Sequence, residues 1–315
     1  MPSKKILVIV GPTASGKTRM AVELAKAHNG EVVSADSMQI YRRMDIGTAK
    51  PTAEEMDGVP HHMIDVADPE EDFSVARYVE MASACVDDIF SRGKLPIVAG
   101  GTGLYVDSLL SGRTFAAFSP DSSLRKELEA ELAERGGEAM LAELSRVDPE
   151  AAARLHPNDH KRIVRALEVY RSTGKTISEH NRETRALPPR YEALTIGLNF
   201  QDRADLWARI DQRVDQMAAA GLEREVRELL SSGLSPRCTA MQAIGYKEFV
   251  AAVEGTMTWR EAEELVKLRS RQYAKRQLTW FRRNPEVHWL LWEKNPNFGN
   301  ARQRSTELLE EFGLG

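Results

Sequence analysis

Cysteine is scarce in this chain. Cys85 and Cys238 are the only two in 315 residues. They lie far apart without ligand-type spacing, which excludes a disulfide framework and a cysteine-based zinc site. Long hydrophobic runs are missing as well, and no stretch is long enough to cross a bilayer as a helix. The opening Met1-Pro2-Ser3-Lys4-Lys5 leads straight into a strand pattern rather than a secretory leader, so a cytoplasmic location is expected. Neither charge sign dominates. The formal net charge of −4 excludes a uniformly basic nucleic-acid binder but leaves room for a local basic face. No internal repeat or low-complexity tract is present. With 42% hydrophobic and 29% charged residues, the composition is that of a globular protein built as one large domain or two.

One stretch near the start organises the rest. Ile6 to Val10 is an apolar β-type run, and Gly11-Pro12-Thr13-Ala14-Ser15-Gly16-Lys17-Thr18 follows it directly. Met20, Ala21, Leu24 and Ala25 then recur at helical spacing. Strand, glycine-bounded turn and helix form the context that makes a G-x-x-x-x-G-K-[ST] match meaningful. Such a loop curls its amides around one centre, and the helix start adds the positive end of its dipole. Lys17 adds a full charge, and the Thr18 hydroxyl is suited to hold Mg²⁺. The stretch reads as a cradle for a di- or triphosphate.

The second strand, Glu31 to Ala35, ends at Asp36. In a parallel sheet that end lies on the ligand side, so Asp36 is open to two readings, a catalytic carboxylate or a turn cap. His61-His62 lacks metal-ligand spacing and reads as surface or packing histidines. A third strand, Leu95 to Ala99, runs into Gly100-Gly101-Thr102-Gly103. A nucleotide hydrolase would carry a magnesium-binding acid at that strand end. Two glycines stand there instead, which counts against hydrolysis-driven switching. Residues 120–190 show helical periodicity only, acidic at first and basic later. Tyr191 to Phe200 returns to strand composition, and a helix bearing Arg209 and Arg213 follows. Thr258-Trp259-Arg260-Glu261 is a capping box. It opens a helix carrying Lys267, Arg269, Arg271, Lys275, Arg276, Arg282 and Arg283, a one-signed set that reads as an RNA-backbone contact. The tail from Asn295 reads as polar and peripheral. The expected fold is α/β: a P-loop NTPase-like parallel sheet flanked by helices (1–117 and 191–315) with an all-helical insertion (118–190). Three functions fit these features. They are a small-molecule P-loop kinase with a helical lid, a transferase acting on RNA, and a nucleotide-gated RNA-binding switch.

Longer motifs narrow the choice. The P-loop, Ser34-Ala35-Asp36-Ser37-Met38-Gln39-Ile40-Tyr41, Met44-Asp45-Ile46-Gly47-Thr48-Ala49-Lys50-Pro51 and Gly100-Gly101-Thr102-Gly103-Leu104-Tyr105 resemble the tRNA dimethylallyltransferase family. His156-Pro157-Asn158-Asp159, Arg162 with Arg165-Ala166-Leu167-Glu168, and Ala243-Ile244-Gly245-Tyr246-Lys247 extend the resemblance along nearly the whole chain. No Cys/His pattern for a C-terminal zinc finger occurs, so the chain is similar to the shorter bacterial form. The resemblance implies transfer of a dimethylallyl group from dimethylallyl diphosphate to N6 of the adenosine just 3′ of the anticodon. It implies Asp36 as general base, Thr102 near the adenine, and Arg213 with Gly11 to Thr18 on the diphosphate. It further implies tRNA contacts from Asp36, Ser37, Met38, Gln39, Thr102 and Arg125. Lys161, Arg162, Ile163, Val164 and Arg165 are implied as well, as are Gln242, Ala243, Ile244, Gly245, Tyr246 and Lys247. Some relatives carry Arg where Gln242 stands here. The helical insertion is expected to grip the anticodon stem-loop, Mg²⁺ to be the cofactor, and the protein to act as a monomer. The rival within the superfamily is an adenylate isopentenyltransferase acting on free AMP or ADP.

Overall fold

The structure, a computed structural model, describes residues 4–112, 122–185 and 188–314. The expected domain boundary at 117–118 lies outside the described residues. The chain divides into two compact units, one of Met1–Leu110 with Arg190–Gly315 and one of Ser111–Pro189.

The larger unit is built on six parallel strands among the described residues. They are β1 Lys5–Val10, β2 Gly30–Ser34, β3 His61–His62, β4 Leu95–Gly100, β5 Glu192–Phe200 and β6 His288–Trp292, in the order β3-β2-β4-β1-β5-β6. The continuous apolar run of β1 has a tertiary reason. It is the strand between β4 and β5 and is covered on both faces, so Ile6 to Val10 are all fully buried. Residues 95–99, expected as the third strand, form the fourth, because His61 and His62 make a two-residue strand paired to β2.

The helices of this unit are α1 Lys17–Ala27, α2 Ala53–Met56, α3 Val75–Ser91 and α4 Gly103–Leu110 before the insertion. The helical unit holds α5 Ser122–Val147, α6 Pro149–Ala152, α7 His160–Thr173 and α8 Ile177–Arg185. The larger unit then resumes with α9 Arg203–Ala220, α10 Leu222–Ser231, α11 Tyr246–Val253, α12 Trp259–Phe281 and α13 Phe298–Phe312. The tail is therefore not peripheral. Ala301, Leu308 and Leu309 of α13 share a core with Met20, Ala21 and Leu24 of α1. Their spacing puts one apolar face on a helix whose other residues are polar, and an average over the segment hides that face.

Within the helical unit, Leu128, Met140, Leu144, Ile163, Val164 and Leu167 form the core. The α5 backbone breaks at Gly136 (φ 78°, ψ 162°). Asp148 joins two helix starts, since its Oδ1 accepts from Ala151 N at 3.0 Å and its Oδ2 from Ser178 N at 3.0 Å.

A stability knot sits at the other end of the sheet from the P-loop. Glu31 is the second residue of β2 and is 2% exposed. Its carboxylate receives Arg92 at 2.5 and 2.7 Å, Lys94 at 2.8 Å and His62 at 2.8 Å. The Arg92 hydrogen bonds, aided by Lys94 and His62, hold the Glu31 carboxyl well below the usual range against the opposing effect of burial. The adjacent histidines are thus packing and ion-pair residues: His61 Nδ1 lies 2.9 Å from Val59 O.

Candidate active site

Strand register brings the site together. Val10 pairs with Gly100 and Ser34 with Ala99, so β1, β4 and β2 end level with one another. The loops that leave them carry Gly11 to Thr18, Gly101-Thr102 and Asp36 onto one edge of the sheet, beyond the carboxyl ends where open parallel sheets bind ligands.

The phosphate loop is shaped by its neighbours. Gly11 has φ 149°, and a Cβ there would lie 2.3 Å from Leu198 O, so no other residue fits. Lys17 opens α1, leaving the amides of the first turn without intrahelical partners and aimed at the loop. Its Nζ donates to Pro12 O at 2.7 Å. Burial, helped by the Arg213 charge and opposed by Asp36, brings the Lys17 ammonium down to about 8. Arg213 and Arg209 come from α9. Arg213 Nη2 donates to Ala49 O at 3.3 Å, and Arg209 Nε to Ala14 O at 3.3 Å. Burial also lowers Arg213, while Glu55 and Asp36 work against it. A lysine and two arginines thus crowd one loop, an arrangement that an anion of high charge relieves. Ser15 Oγ is buried without a hydrogen-bond partner.

The acceptor side is a turn. Asp36 Oδ1 accepts from Met38 N at 2.9 Å and from Gln39 N at 3.4 Å. The capping job is therefore real, and it uses one oxygen, so the two readings of Asp36 are compatible. Thr102 Oγ1 accepts from Ser37 N at 3.0 Å, and Thr102 N donates to Ala35 O at 3.1 Å. Gln39 Nε2 donates to Ala49 O at 3.2 Å. The loop it grips is held from behind by Glu225 of α10. That carboxylate accepts from the amides of Asp45, Ile46 and Gly47 at 3.0, 2.8 and 3.2 Å and from the Tyr246 hydroxyl at 2.5 Å.

Several residues of the expected tRNA-contact set have buried side chains. Tyr246 is fully buried against Gly47 and Glu225, and Ile163 and Val164 are core residues of the helical unit. Their side chains serve packing. Gly245 is buried too, and its amide donates to Glu248 at 2.9 Å. Gln242 is exposed but turns its Nε2 back to Pro236 O at 2.9 Å. Ala243 and Ile244 are half-buried and Lys247 is exposed. In the helical unit Lys161 and Arg162 are exposed. Arg125 pairs with Glu129 at 3.3 Å, and Arg165 with the buried Glu168 at 2.9 Å. The basic helix α12 is also less one-sided than its sequence. Lys267 is tied to Asp215 at 2.6 Å and Arg271 to Asp211 at 2.5 Å, which leaves Arg269, Lys275, Arg276, Arg282 and Arg283 on the exposed face.

Two residues escape a motif-based reading. Gln277 of α12 accepts from Thr13 N at 2.9 Å and donates to Gly101 O at 3.0 Å. Tyr273, one turn earlier, is pushed up to about 12 by burial and the Asp36 charge, with hydrogen bonds to Thr102 and Gln277 opposing. A signal for Gln277 exists: Ala274, Gln277 and Phe281 share one buried face, and a glutamine at an apolar position demands polar partners.

The model of the IPP transferase family matches residues 39–284, and that of isopentenyl transferase matches residues 4–73. The chain belongs to the tRNA dimethylallyltransferase (IPP transferase) family. Proteins named tRNA dimethylallyltransferase are 50% identical to it in Acetivibrio thermocellus (90% of this chain, 91% of the relative) and in Geobacter sulfurreducens (98% and 97%). Among solved structures, the tRNA isopentenylpyrophosphate transferase of Bacillus halodurans is 44% identical at a TM-score of 0.73, covering 98% of this chain and 97% of its own. A eukaryotic dimethylallyltransferase acting on tRNA is 31% identical at a TM-score of 0.84, covering 98% of this chain and 79% of its own. The P-loop-type parallel sheet is the fold of this tRNA dimethylallyltransferase family.

Proposed function

We propose that the chain transfers the dimethylallyl group of dimethylallyl diphosphate to the exocyclic N6 of the adenosine next to the anticodon, on its 3′ side, in tRNA, releasing diphosphate. The observation that carries this reading is the pairing of an anion cradle with a carboxylate turn on one sheet edge, where the acid of a nucleotide hydrolase is replaced by Gly100 and Gly101. The adenine nitrogen attacks the allylic carbon, the new C–N bond forms, and the C–O bond breaks with its electron pair leaving on the diphosphate. Lys17, Arg213 and the loop amides stabilise that growing charge. Asp36 takes the proton that N6 loses, because the amino lone pair is delocalised into the ring and needs a base beside it. Thr102, bonded to the Ser37 amide, keeps that turn in place. The adenine must leave its stack to arrive there.

The donor set fits a magnesium ion shared with the substrate. No trio of His, Cys, Asp or Glu that could hold a metal occurs among the described residues, whereas the half-buried Thr18 hydroxyl stands at the loop. Thr18 and the diphosphate oxygens would hold Mg²⁺, and the ion would neutralise leaving-group charge. Lys161, Arg162 and Arg125 of the helical unit, with the exposed arginines of α12, are the phosphate contacts for tRNA. Incubation with labelled dimethylallyl diphosphate and either tRNA or free AMP tests the reading. Label in tRNA alone is expected. Label in AMP would favour the adenylate transferase, and γ-phosphate transfer from ATP to a small acceptor would favour a kinase.

A further inference from the structure

Gln277 is 5% exposed and spends both ends of its amide on the two loops of the site. Its Oε1 meets a donor, Thr13 N at 2.9 Å, and its Nε2 meets an acceptor, Gly101 O at 3.0 Å. A Cβ on Gly101 would lie 2.1 Å from that Nε2, so the strand end is shaped to admit this side chain. Thr102 follows Gly101 directly in the chain, and its Oγ1 accepts from Ser37 N at 3.0 Å. The path Thr13, Gln277, Gly101, Thr102, Ser37 thus runs unbroken from the phosphate loop to the turn that carries Asp36. Gln277 belongs to α12, whose outer face holds Arg269, Lys275 and Arg276 in solvent.

We infer that Gln277 is a positioning residue that couples the donor loop to the acceptor side, so that diphosphate and tRNA bind cooperatively. The inference rests on the transferase reading above. Coupling requires one element that both ligands bias. On that reading α12 meets RNA with its outer face, and with its inner face it holds Thr13 and Gly101. Hydrogen bonds weaken steeply with distance and angle, so steadying α12 steadies both loops together. A diphosphate then meets a loop already ordered, and by linkage tRNA gains the same factor from diphosphate.

The experiment measures tRNA affinity with and without saturating inorganic diphosphate, and diphosphate affinity with and without tRNA. Two variants accompany the wild type. Gln277→Glu keeps the acceptor for Thr13 but sets a carboxylate oxygen against the Gly101 carbonyl. Gln277→Leu removes both bonds. The wild type should show a coupling factor of roughly 5 or more, equal in both directions. Each variant should bring the factor toward one while tRNA affinity in the absence of diphosphate holds. A loss of stability alone would lower both affinities and leave their ratio intact. A wild-type factor of one, or an undiminished factor in folded Gln277→Leu or Gln277→Glu, overturns the inference and leaves the transferase standing. A wild type that binds no tRNA overturns both.

Discussion

Asp36→Asn separates chemistry from architecture at the carboxylate turn. Asn keeps an Oδ1 that can accept from Met38 N at 2.9 Å and Gln39 N at 3.4 Å, so the turn should persist. What disappears is the ability to take a proton. Positioned general bases contribute roughly 10²–10⁴ in rate. That range corresponds to about 3–5 kcal/mol of barrier. Asp36→Ala removes both functions and should add the loss of a cap-type contact, about 0.5–2 kcal/mol. In a unit of this size each kcal/mol moves the melting temperature by about 2–4 °C. The expected pattern has two parts. Both variants should lose the same two to four decades of single-turnover rate with preformed enzyme–tRNA complex and excess donor. Only Asp36→Ala should melt measurably earlier. A folded Asp36→Asn protein with an undiminished single-turnover rate would refute the base. An Asn variant that melts as early as the Ala variant would show that the turn needs the negative charge.

Lys17→Ala should cost roughly 10²–10³ in transfer rate, as for loss of one leaving-group contact, and near wild-type turnover would show the cradle idle. Because Lys17 titrates near 8 in the free protein, diphosphate affinity should fall as pH rises through that value, with proton uptake on binding detectable by calorimetry in buffers of different ionisation enthalpy. Between about 8 and its ordinary 10.5 the unfolded chain holds more of this proton, so the ligand-free protein should gain stability from this group as pH rises, and Lys17→Met should lose that gain. Lys161→Glu with Arg162→Glu should weaken tRNA binding and flatten its salt dependence while donor binding holds; an unchanged salt slope would remove the helical unit from the tRNA interface. Glu31→Gln should cost about 3 kcal/mol, the low end for breaking a buried ion pair because its partners are part-exposed. The Glu31 contribution is complete above its ordinary 4.5 and fades as pH falls toward its lowered folded value, so wild type and Glu31→Gln should converge in melting temperature on acidification.

The residues alone determined the strand–loop–helix cradle, because glycine spacing and an apolar run are local properties. Periodicity also located α7 and α9, each of which presents one apolar face. The capping box at Thr258 is local too: the Glu261 amide donates to Thr258 Oγ1 at 3.2 Å, and the Thr258 amide to Glu261 Oε2 at 2.8 Å. Tertiary structure decided what spacing cannot carry. Strand order put Asp36, Thr102 and the P-loop on one edge, although more than sixty residues separate Asp36 from Thr102. Burial turned the side chains of Ile163, Val164 and Tyr246 into the core, since a motif gives identity but not the direction a side chain faces. Ion pairs with Asp211 and Asp215 thinned the basic face of α12, because those neutralising acids come from α9, far earlier in the chain. Gln277 and Glu225 acquire their positions from partners in distant segments. Their bonds exist only once the sheet has assembled, which is why no local pattern announces them.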